Sequence, residues 1–314
     1  MPIDVLVNLD MPEYSRSHLA ETYTLHYWPD PAEHQQLADG PAGQRIRAVQ
    51  TNGSHGIKRP LIERLPALEL ICAVGAGYEG IDLDAARERG IVVTHNPGSN
   101  AATVADQAWA LIIGSMRRVS WCDQAVRAGR WEEARQAMPA VSGKKLGVFG
   151  LGHVGSEIAK RGALGFGMEV GYHNRKPRAD VDYRYLPTLV ELAEWCDVLA
   201  IAAPGGPATR HAVGRDVLAV LGPEGYVVNV ARGSLLSSEA LIEALNEGRI
   251  AGAGLDVIDG EPAVPEGFLR QDRLVLSPHV GGFSPDAIKA MIHRVRDNFD
   301  AHFAGRPLHS PVLT

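Results

Sequence analysis

KLGVFGLGHVG, residues 145–155, is an apolar run followed by a loop of the pattern Gly-x-Gly-x-x-Gly, and residues 156–161 continue as a helical stretch. The first glycine, Gly150, permits a tight turn, and the second, Gly152, lets the backbone approach a pyrophosphate. The third, Gly155, allows the helix to pack closely on the strand, and the helix N-terminus offers free N–H groups to phosphates. The stretch therefore predicts a strand, a phosphate loop and a helix that hold a dinucleotide. The predicted loop contacts are Gly150, Leu151, Gly152, His153, Val154 and Gly155.

Short apolar runs alternate with helix-like segments on both sides of this loop. Before it they occupy residues 3–9, 46–51, 69–74 and 91–94. From the loop onward they occupy residues 145–149, 168–172, 197–202, 226–230, 252–257 and 273–276. Such alternation predicts an α/β protein whose parallel sheets are flanked by helices.

Two long helices are predicted outside these runs, at residues 101–119 and 285–304. The first is apolar on nearly every side, which is typical of a buried helix, so we expect it between domains or between subunits. The segment 122–143 is more polar and is predicted to be irregular or partly helical.

The composition is that of an ordinary globular protein. The chain has 314 residues, 45% of them hydrophobic and 22% charged, with a net charge of −6 that argues against a nucleic-acid partner. Its three widely spaced cysteines predict neither a disulfide framework nor a metal site. The N-terminus does not resemble a signal peptide and no apolar run is long enough to span a membrane, so we expect a cytoplasmic protein without a membrane partner.

The second strand of the nucleotide-binding sheet, residues 168–172, ends without the carboxylate that usually bonds the ribose of NAD. Cationic side chains follow instead, and Arg can bind a 2′-phosphate through two parallel hydrogen bonds. Asp180 lies beyond this cluster and would be a poor ribose ligand. The pattern predicts NADP(H) in preference to NAD(H), although NAD(H) is possible and a solvated basic loop is the alternative. The predicted contacts are Asn174, Arg175, Lys176 and Arg178.

Three later strand ends carry charged or titratable residues: VNVARGS at 228–234, GLDV at 254–257 with GEP at 260–262, and SPHVGG at 277–282. In an open α/β sheet, ligands bind at the carboxyl ends of the strands. Together with the glycine loop, these ordered motifs resemble those of the D-isomer-specific 2-hydroxyacid dehydrogenases, and most closely the glyoxylate/hydroxypyruvate reductase branch. The resemblance covers essentially the whole chain.

The resemblance implies a catalytic set of Arg232, Glu261 and His279. Reduction of a 2-oxo acid needs a hydride from the nicotinamide and a proton for the carbonyl oxygen, and His279 is a suitable proton donor near neutral pH. Glu261 would hold the imidazole and favour its protonated form. Arg232 would bind the substrate carboxylate and polarise the carbonyl group.

The resemblance also implies contacts outside this set. Residues 74–82 are similar to the family's substrate loop, whose backbone N–H groups bind the substrate carboxylate, but Gly75, Glu79 and Gly80 depart from its usual pattern. Residues 281–283 depart from the usual pattern after the histidine, which leaves the substrate's size open. The implied substrate contacts are Asn52, Gly75, Ala76, Gly77, Arg232 and His279. The implied cofactor contacts are Thr103, Ala203, Pro204, Val230, Ala231, Arg232, Asp256, His279 and Gly281, with Asp256 on the nicotinamide carboxamide.

The organisation that the resemblance implies is two Rossmann-like domains. A substrate (catalytic) domain of residues 1–98 and 285–314 would be interrupted by an NAD(P)-binding domain of residues 99–284, with the active-site cleft at the hinge. Helix 101–119 would form part of a homodimer interface.

The function implied is NADPH-dependent reduction of glyoxylate, hydroxypyruvate or a similar small 2-oxo acid to the D-2-hydroxy acid. One alternative is a reductase for a larger 2-oxo acid, such as 2-ketogluconate or phenylpyruvate. Another is a non-catalytic protein that senses a dinucleotide.

Overall fold

The computed structural model describes residues 2–313 and divides the chain into two compact units. One unit contains the residues up to Asn100 and those from Phe283 onward, and the other is Ala101–Gly282. Each unit has its own sheet, so the second unit is an insertion in the sequence of the first.

Strands and helices alternate along the described chain, which confirms the predicted α/β class. The strands are β1 (Asp4–Val7), β2 (Thr24–Tyr27), β3 (Ile46–Thr51), β4 (Leu70–Ala73), β5 (Val92–Thr94), β6 (Lys145–Phe149), β7 (Glu169–His173), β8 (Arg184–Tyr185), β9 (Val198–Ile201), β10 (Tyr226–Asn229), β11 (Gly252–Leu255), β12 (Leu274–Leu276) and β13 (Pro311–Leu313). The helices are α1 (Glu13–Ala20), α2 (His34–Asp39), α3 (Arg59–Glu63), α4 (Leu83–Glu88), α5 (Ala101–Met116), α6 (Val119–Arg127), α7 (Trp131–Ala134), α8 (His153–Phe166), α9 (Leu189–Trp195), α10 (Arg215–Leu221), α11 (Ser238–Asn246), α12 (Glu266–Leu269) and α13 (Pro285–Phe303).

The sheet of the first unit has the order β13-β5-β4-β3-β1-β2. All its neighbouring strands are parallel except β13, which runs antiparallel to β5 because the chain returns to this edge after α13. Successive strand residues point to opposite faces. Val5 accordingly packs with Leu19 and Phe299 from α1 and α13, whereas its neighbour Leu6 packs with Ile62 and other residues on the opposite face.

The sheet of the second unit is entirely parallel, in the order β12-β11-β10-β9-β6-β7-β8. The chain winds outward in one direction from β6 to β8 and in the other from β9 to β12, so the order reverses between β6 and β9. Ligands bind such sheets outside the carboxyl ends of the strands, at this point of reversal. The glycine loop follows β6 and therefore lies there.

The predicted helix 101–119 is wrong at its end. α5 stops at Met116, and Arg118 adopts a left-handed backbone conformation (φ +49°) that separates it from α6. The apolar residues of α5 include Trp109 and Ile112, which pack with Leu146 and Ile158 inside the helix's own unit. Intrachain packing therefore accounts for much of this helix's apolarity.

Within residues 2–313, no helix combines the length and apolarity needed to cross a membrane.

The polar segment 122–143 contains most of α6 and all of α7, in agreement with the prediction of partial helix. β2, β8 and β13 were not predicted. β8 has only two residues, and β13 lies at an edge of its sheet, so neither makes a long apolar run.

Candidate active site

The glycine loop has two glycines that the protein's own packing requires and one that leaves space. Gly150 has φ +96°, and a Cβ placed on it would lie 2.4 Å from the Cα of Ala203. A Cβ on Gly155 would lie 2.1 Å from the carbonyl oxygen of Gly150. By contrast, a Cβ on Gly152 would meet no atom within 4 Å. The absence of a side chain at Gly152 therefore keeps open a space that a ligand can fill.

The amide groups next to this space suit a phosphate. Gly152 caps α8 without a side-chain hydrogen bond, and the first N–H groups of a helix have no acceptor within it. His153 and Val154 begin this helix and present such groups. Leu151 differs, because its N–H donates to Oδ1 of Asn174 at 2.7 Å and its side chain is buried. The residues present thus fit a dinucleotide's pyrophosphate, with Asn174 shaping the loop from within.

The basic residues after β7 form two groups. Arg175 and Lys176 are exposed. Arg178 is half-buried and donates through Nη1 to the Leu151 carbonyl oxygen and to Ser156 Oγ, both at 2.9 Å. Its Nε donates to Oδ1 of Asp180 at 2.9 Å, and this hydrogen bond lowers the pKa of that carboxyl group. Asp180, which was predicted to be a poor ribose ligand, is thus the ion-pair partner of Arg178, a predicted cofactor contact.

The other predicted cofactor residues follow neighbouring strands or begin a helix. Ala203 and Pro204 follow β9, and the Pro204 carbonyl oxygen accepts a hydrogen bond from Thr209. Val230 and Ala231 follow β10 and are buried. Thr103 lies in the first turn of α5 and is half-buried.

The loop that carries Arg232 is shaped by a buried amide. Asn229, at the end of β10, donates through Nδ2 to the Arg232 carbonyl oxygen at 2.9 Å and accepts from the Ala231 N–H at 3.0 Å. The half-buried guanidinium of Arg232 donates through Nη1 to the Ala231 carbonyl oxygen at 2.7 Å. Asn229 is part of the quoted motif, but the sequence did not reveal this role.

Glu261 and His279 form a hydrogen-bonded pair. Oε1 of Glu261 accepts from Nδ1 of His279, and Oε2 accepts from the Ile258 N–H at 3.1 Å. His279 has φ +55°, a conformation uncommon for residues other than glycine that is found at functional sites when the surroundings impose it. The side chains of His279 and Glu261 are 38% and 34% exposed, so solvent and small molecules can reach the pair.

Asp256 imposes the conformation of the histidine loop. Its buried carboxylate accepts from Ser277 Oγ at 2.6 Å and from the N–H groups of Val280 and Gly281 at 3.1 and 2.8 Å. Its carbonyl oxygen accepts from the His279 N–H at 2.7 Å. A Cβ on Gly281 would lie 2.8 Å from Asp256 Oδ2. Asp256 therefore serves the protein's own loop, a role that its assignment to the nicotinamide did not include.

The Arg232 and Glu261 loops touch through their backbones. A Cβ on Gly233 would lie 2.0 Å from the carbonyl carbon of Ile258, so only glycine permits this approach. Oδ2 of Asp259 lies 3.0 Å from Arg210 Nη2 and 3.1 Å from His211 Nε2, which ties the Glu261 loop to the segment before α10. Sequence reasoning missed Asp259, Arg210 and His211.

The predicted substrate residues of the first unit lie after two neighbouring strands, β3 and β4. The Asn52 side chain accepts from the His55 N–H at 2.6 Å, and a Cβ on Gly53 would lie 2.6 Å from the backbone of Gly77. Gly80, a departure from the family pattern, is explained by the same packing, because its Cβ would lie 2.6 Å from the Gly53 carbonyl oxygen.

The loop after β4 is held by residues that follow β5. His95 Nδ1 is hydrogen-bonded to the Ala76 carbonyl oxygen at 2.7 Å, and the Asn96 N–H donates to Gly75. Ala76 is exposed, and a Cβ on Gly75 would meet nothing within 4 Å.

In residues 2–313, no group of three or more His, Cys, Asp or Glu side chains is arranged to hold a metal ion.

The parallel sheet and the glycine loop at its point of reversal define a dinucleotide-binding α/β protein. The family model of the NAD-binding domain of D-isomer-specific 2-hydroxyacid dehydrogenases matches residues 109–281. A glyoxylate/hydroxypyruvate reductase A of Arabidopsis thaliana is 39% identical over 313 residues, covering 99% of each chain. A hydroxyphenylpyruvate reductase of Plectranthus scutellarioides is 38% identical, again covering 99% of each chain.

A solved structure agrees with these relatives. It is an NADPH-dependent glyoxylate/hydroxypyruvate reductase of Sinorhizobium meliloti in complex with NADP and malonate. The similarity has a TM-score of 0.91 at 35% identity and covers 99% of this chain and 97% of that one. The chain belongs to the D-isomer-specific 2-hydroxyacid dehydrogenases, as the sequence motifs predicted. It is an oxidoreductase that uses a nicotinamide dinucleotide and a 2-oxo or 2-hydroxy acid.

Proposed function

We propose that this enzyme reduces a small 2-oxo acid of the glyoxylate or hydroxypyruvate type to the D-2-hydroxy acid, with NADPH as reductant. The observation that carries the proposal is the His279–Glu261 hydrogen bond, in loops that Asp256 and Gly233 hold beside the Arg232 loop. An imidazole, a carboxylate and a guanidinium together provide the proton and the positive charge that reduction of an anionic carbonyl compound needs besides a hydride.

The proton is delivered by His279. Because Nδ1 is engaged by Glu261, Nε2 is the nitrogen that can donate to the substrate's carbonyl oxygen. The carboxylate of Glu261 fixes the orientation of the ring for this transfer. NADPH, held by the glycine loop and the residues after β7, would supply the hydride for this reduction.

In the second unit, Arg232 is the residue that meets the substrate's charge. Arg232 binds the carboxylate of the 2-oxo acid and polarises the carbonyl oxygen on which negative charge develops. In the first unit, the substrate contacts that the family resemblance implies are Asn52 and the backbone N–H groups of Gly75, Ala76 and Gly77. Open space at Gly75 supports this assignment.

NADPH is favoured over NADH by the charges after β7. No carboxylate ends that strand, and the exposed cations Arg175 and Lys176 can meet a 2′-phosphate. Arg175→Asp should raise the KM for NADPH by about tenfold or more and leave that for NADH within about twofold. Lys160→Glu, an equal change of charge on the exposed side of α8, is the control and should alter neither. Wild-type preference for NADH would contradict the assignment.

A panel of 2-oxo acids distinguishes a small substrate from a larger one. Glyoxylate, hydroxypyruvate, 4-hydroxyphenylpyruvate and 2-ketogluconate are each tested with NADPH and NADH by following oxidation of the reduced nicotinamide. The highest kcat/KM with glyoxylate or hydroxypyruvate supports the proposal, and the highest value with either larger acid overturns the substrate class. No turnover on the whole panel, with NADPH still bound, would favour the role of a dinucleotide sensor.

We also propose that the chain forms a homodimer. Because apolar residues of α5 pack within their own unit, we place the interface on the segment after α5 and not on the predicted helix 101–119 as a whole. Val119, Val126 and Trp131 of α6 and α7 are 51%, 43% and 63% exposed, so a partner subunit that covered them would remove apolar surface from water. Light scattering after size exclusion should give twice the chain mass for wild type and for Leu164→Asp, the control on another exposed apolar residue. Trp131→Asp should give the single-chain mass, and a monomeric wild type would contradict the proposal.

A further inference from the structure

The guanidinium of Arg178 is held on two edges. Nη1 donates to the Leu151 carbonyl oxygen and to Ser156 Oγ, which belong to the glycine loop and the first turn of α8. Nε and Nη2 form the opposite edge, and both donate to the carboxylate of Asp180. The first edge fixes Arg178 beside the phosphate loop, and the second edge is the one that offers two parallel donors to a further anion.

We propose that Asp180 occupies the edge of Arg178 that would bind the ribose 2′-phosphate of NADP(H), so the cofactor must displace it. A carboxylate and a phosphate both match the paired donors of a guanidinium, which makes them competitors for one edge. This inference rests on the proposed function, because it assumes that the residues after β7 receive a 2′-phosphate. Asp180 is then the residue that limits how strongly this enzyme selects NADPH.

Burial and charge make the exchange feasible. Asp180 is 68% exposed and Arg178 is 31% exposed, so the carboxylate can swing into water while the guanidinium keeps its bonds to the loop. An exposed ion pair is weak, and a doubly charged phosphate beside Arg175 and Lys176 is the stronger partner. Displacement should therefore lower the affinity for a 2′-phosphate by about twofold to fivefold rather than abolish binding.

The test measures direct binding to the full-length protein by calorimetry, with adenosine 2′,5′-bisphosphate and adenosine 5′-monophosphate as probes. Asp180→Asn should tighten the bisphosphate by about twofold to fivefold and leave the monophosphate unchanged. Asp182→Asn removes the same charge from an exposed position two residues further along and is the control, with a smaller effect expected. Arg178→Gln should weaken the bisphosphate and leave the monophosphate unchanged.

The outcomes separate this inference from the proposed function. In one outcome, wild type prefers the bisphosphate and Arg178→Gln removes that preference, but Asp180→Asn and Asp182→Asn bind the bisphosphate with equal affinity. That outcome refutes the competition between Asp180 and the 2′-phosphate and leaves the proposed function standing. Weaker bisphosphate binding by Asp180→Asn would also refute it, since Asp180 would then be holding Arg178 in place. If neither wild type nor Asp180→Asn distinguishes the two probes, the NADPH preference and this inference both fail.

Discussion

Nδ1 of His279 is hydrogen-bonded to Oε1 of Glu261, whose other oxygen accepts from the Ile258 N–H. Both oxygens are therefore occupied, and the carboxylate cannot rotate without losing a partner. A carboxylate fixed by its own loop is suited to orienting an imidazole through repeated cycles of proton transfer.

Removal of either member of this pair should reduce turnover while cofactor binding persists. His279→Ala should lower kcat by about 100-fold to 10,000-fold, because the proton donor is lost. Glu261→Gln should lower kcat by at least about tenfold, because the carboxylate that accepts from Nδ1 and orients the ring is lost. Turnover is followed with hydroxypyruvate and NADPH, and NADPH binding by quenching of tryptophan fluorescence.

Glu266→Gln makes the same chemical change at an exposed glutamate that pairs only with Arg270 in the described structure, so its turnover should match wild type. Near-normal kcat in His279→Ala would remove this histidine from the mechanism.

Asp256→Asn should destabilise the second unit and impair catalysis. Ser277 and Val280 donate to one carboxylate oxygen and Gly281 donates to the other, so either orientation of an asparagine amide sets its NH₂ group against a donor. An unsatisfied buried group of this kind costs about 1–3 kcal/mol. Urea denaturation measures the free energy of unfolding, and kcat should fall with it because the His279 loop loses its support.

Asp259→Asn is the control, since that carboxylate is partly exposed and pairs with Arg210 and His211, which are not part of the loop that carries His279. Its loss of stability should be the smaller of the two. Equal effects of both variants would mean that Asp256 is not the main support of the histidine loop.

The sequence predicted the strands that are buried on both faces far better than the edges. Residues 226–230 are apolar except for Asn229 because helices cover both sides of β10, and such runs are easily detected. The break at Arg118 carries no glycine or proline, so nothing in the local pattern indicated it. Edge strand β8 has one neighbour and two residues, which leaves no periodicity to detect.

The candidate site shows the same division. Arg232, Glu261 and His279 stand in short ordered motifs, so their positions could be predicted together. The contacts of Asp256 depend on residues more than twenty positions away and on β11 and β12 being neighbours, which only the folded chain reveals. The pairing of Arg178 with Asp180 was missed although the two are close in sequence, because the pattern does not say which way an exposed carboxylate turns.

Stability should fall as the pH rises above about 9 because two thiols are buried. Burial raises the pKa of Cys72 to about 12 and that of Cys196 to about 12, against an ordinary value of about 8.5. Between these values the unfolded chain loses protons that the folded protein retains, so the free energy of unfolding decreases with increasing pH. Each thiol contributes at most about 1.4 kcal/mol per pH unit.

Urea denaturation at roughly pH 8, 9 and 10 measures this slope. Cys196→Ala should reduce it, because this variant removes one of the two buried thiols. A slope unaffected by Cys196→Ala would show that this thiol does not titrate differently in the folded and unfolded states.

Gly152→Ala should separate binding from folding. Gly152 has a negative φ of −90°, and its added Cβ would meet no atom of the protein within 4 Å. The melting temperature should therefore stay close to that of wild type. The methyl group would occupy the space where the backbone approaches the pyrophosphate, so the Kd for NADPH should rise by about tenfold or more.

Two glycines of the same helix provide the comparison. Gly165→Ala also meets nothing within 4 Å and should bind NADPH normally, with a gain in stability of up to about 1 kcal/mol from helix propensity. Gly155→Ala should lower the melting temperature, because its Cβ would lie 2.1 Å from the Gly150 carbonyl oxygen. If Gly152→Ala bound NADPH as tightly as Gly165→Ala, the pyrophosphate could not lie on this loop, since a methyl group there would have to meet it.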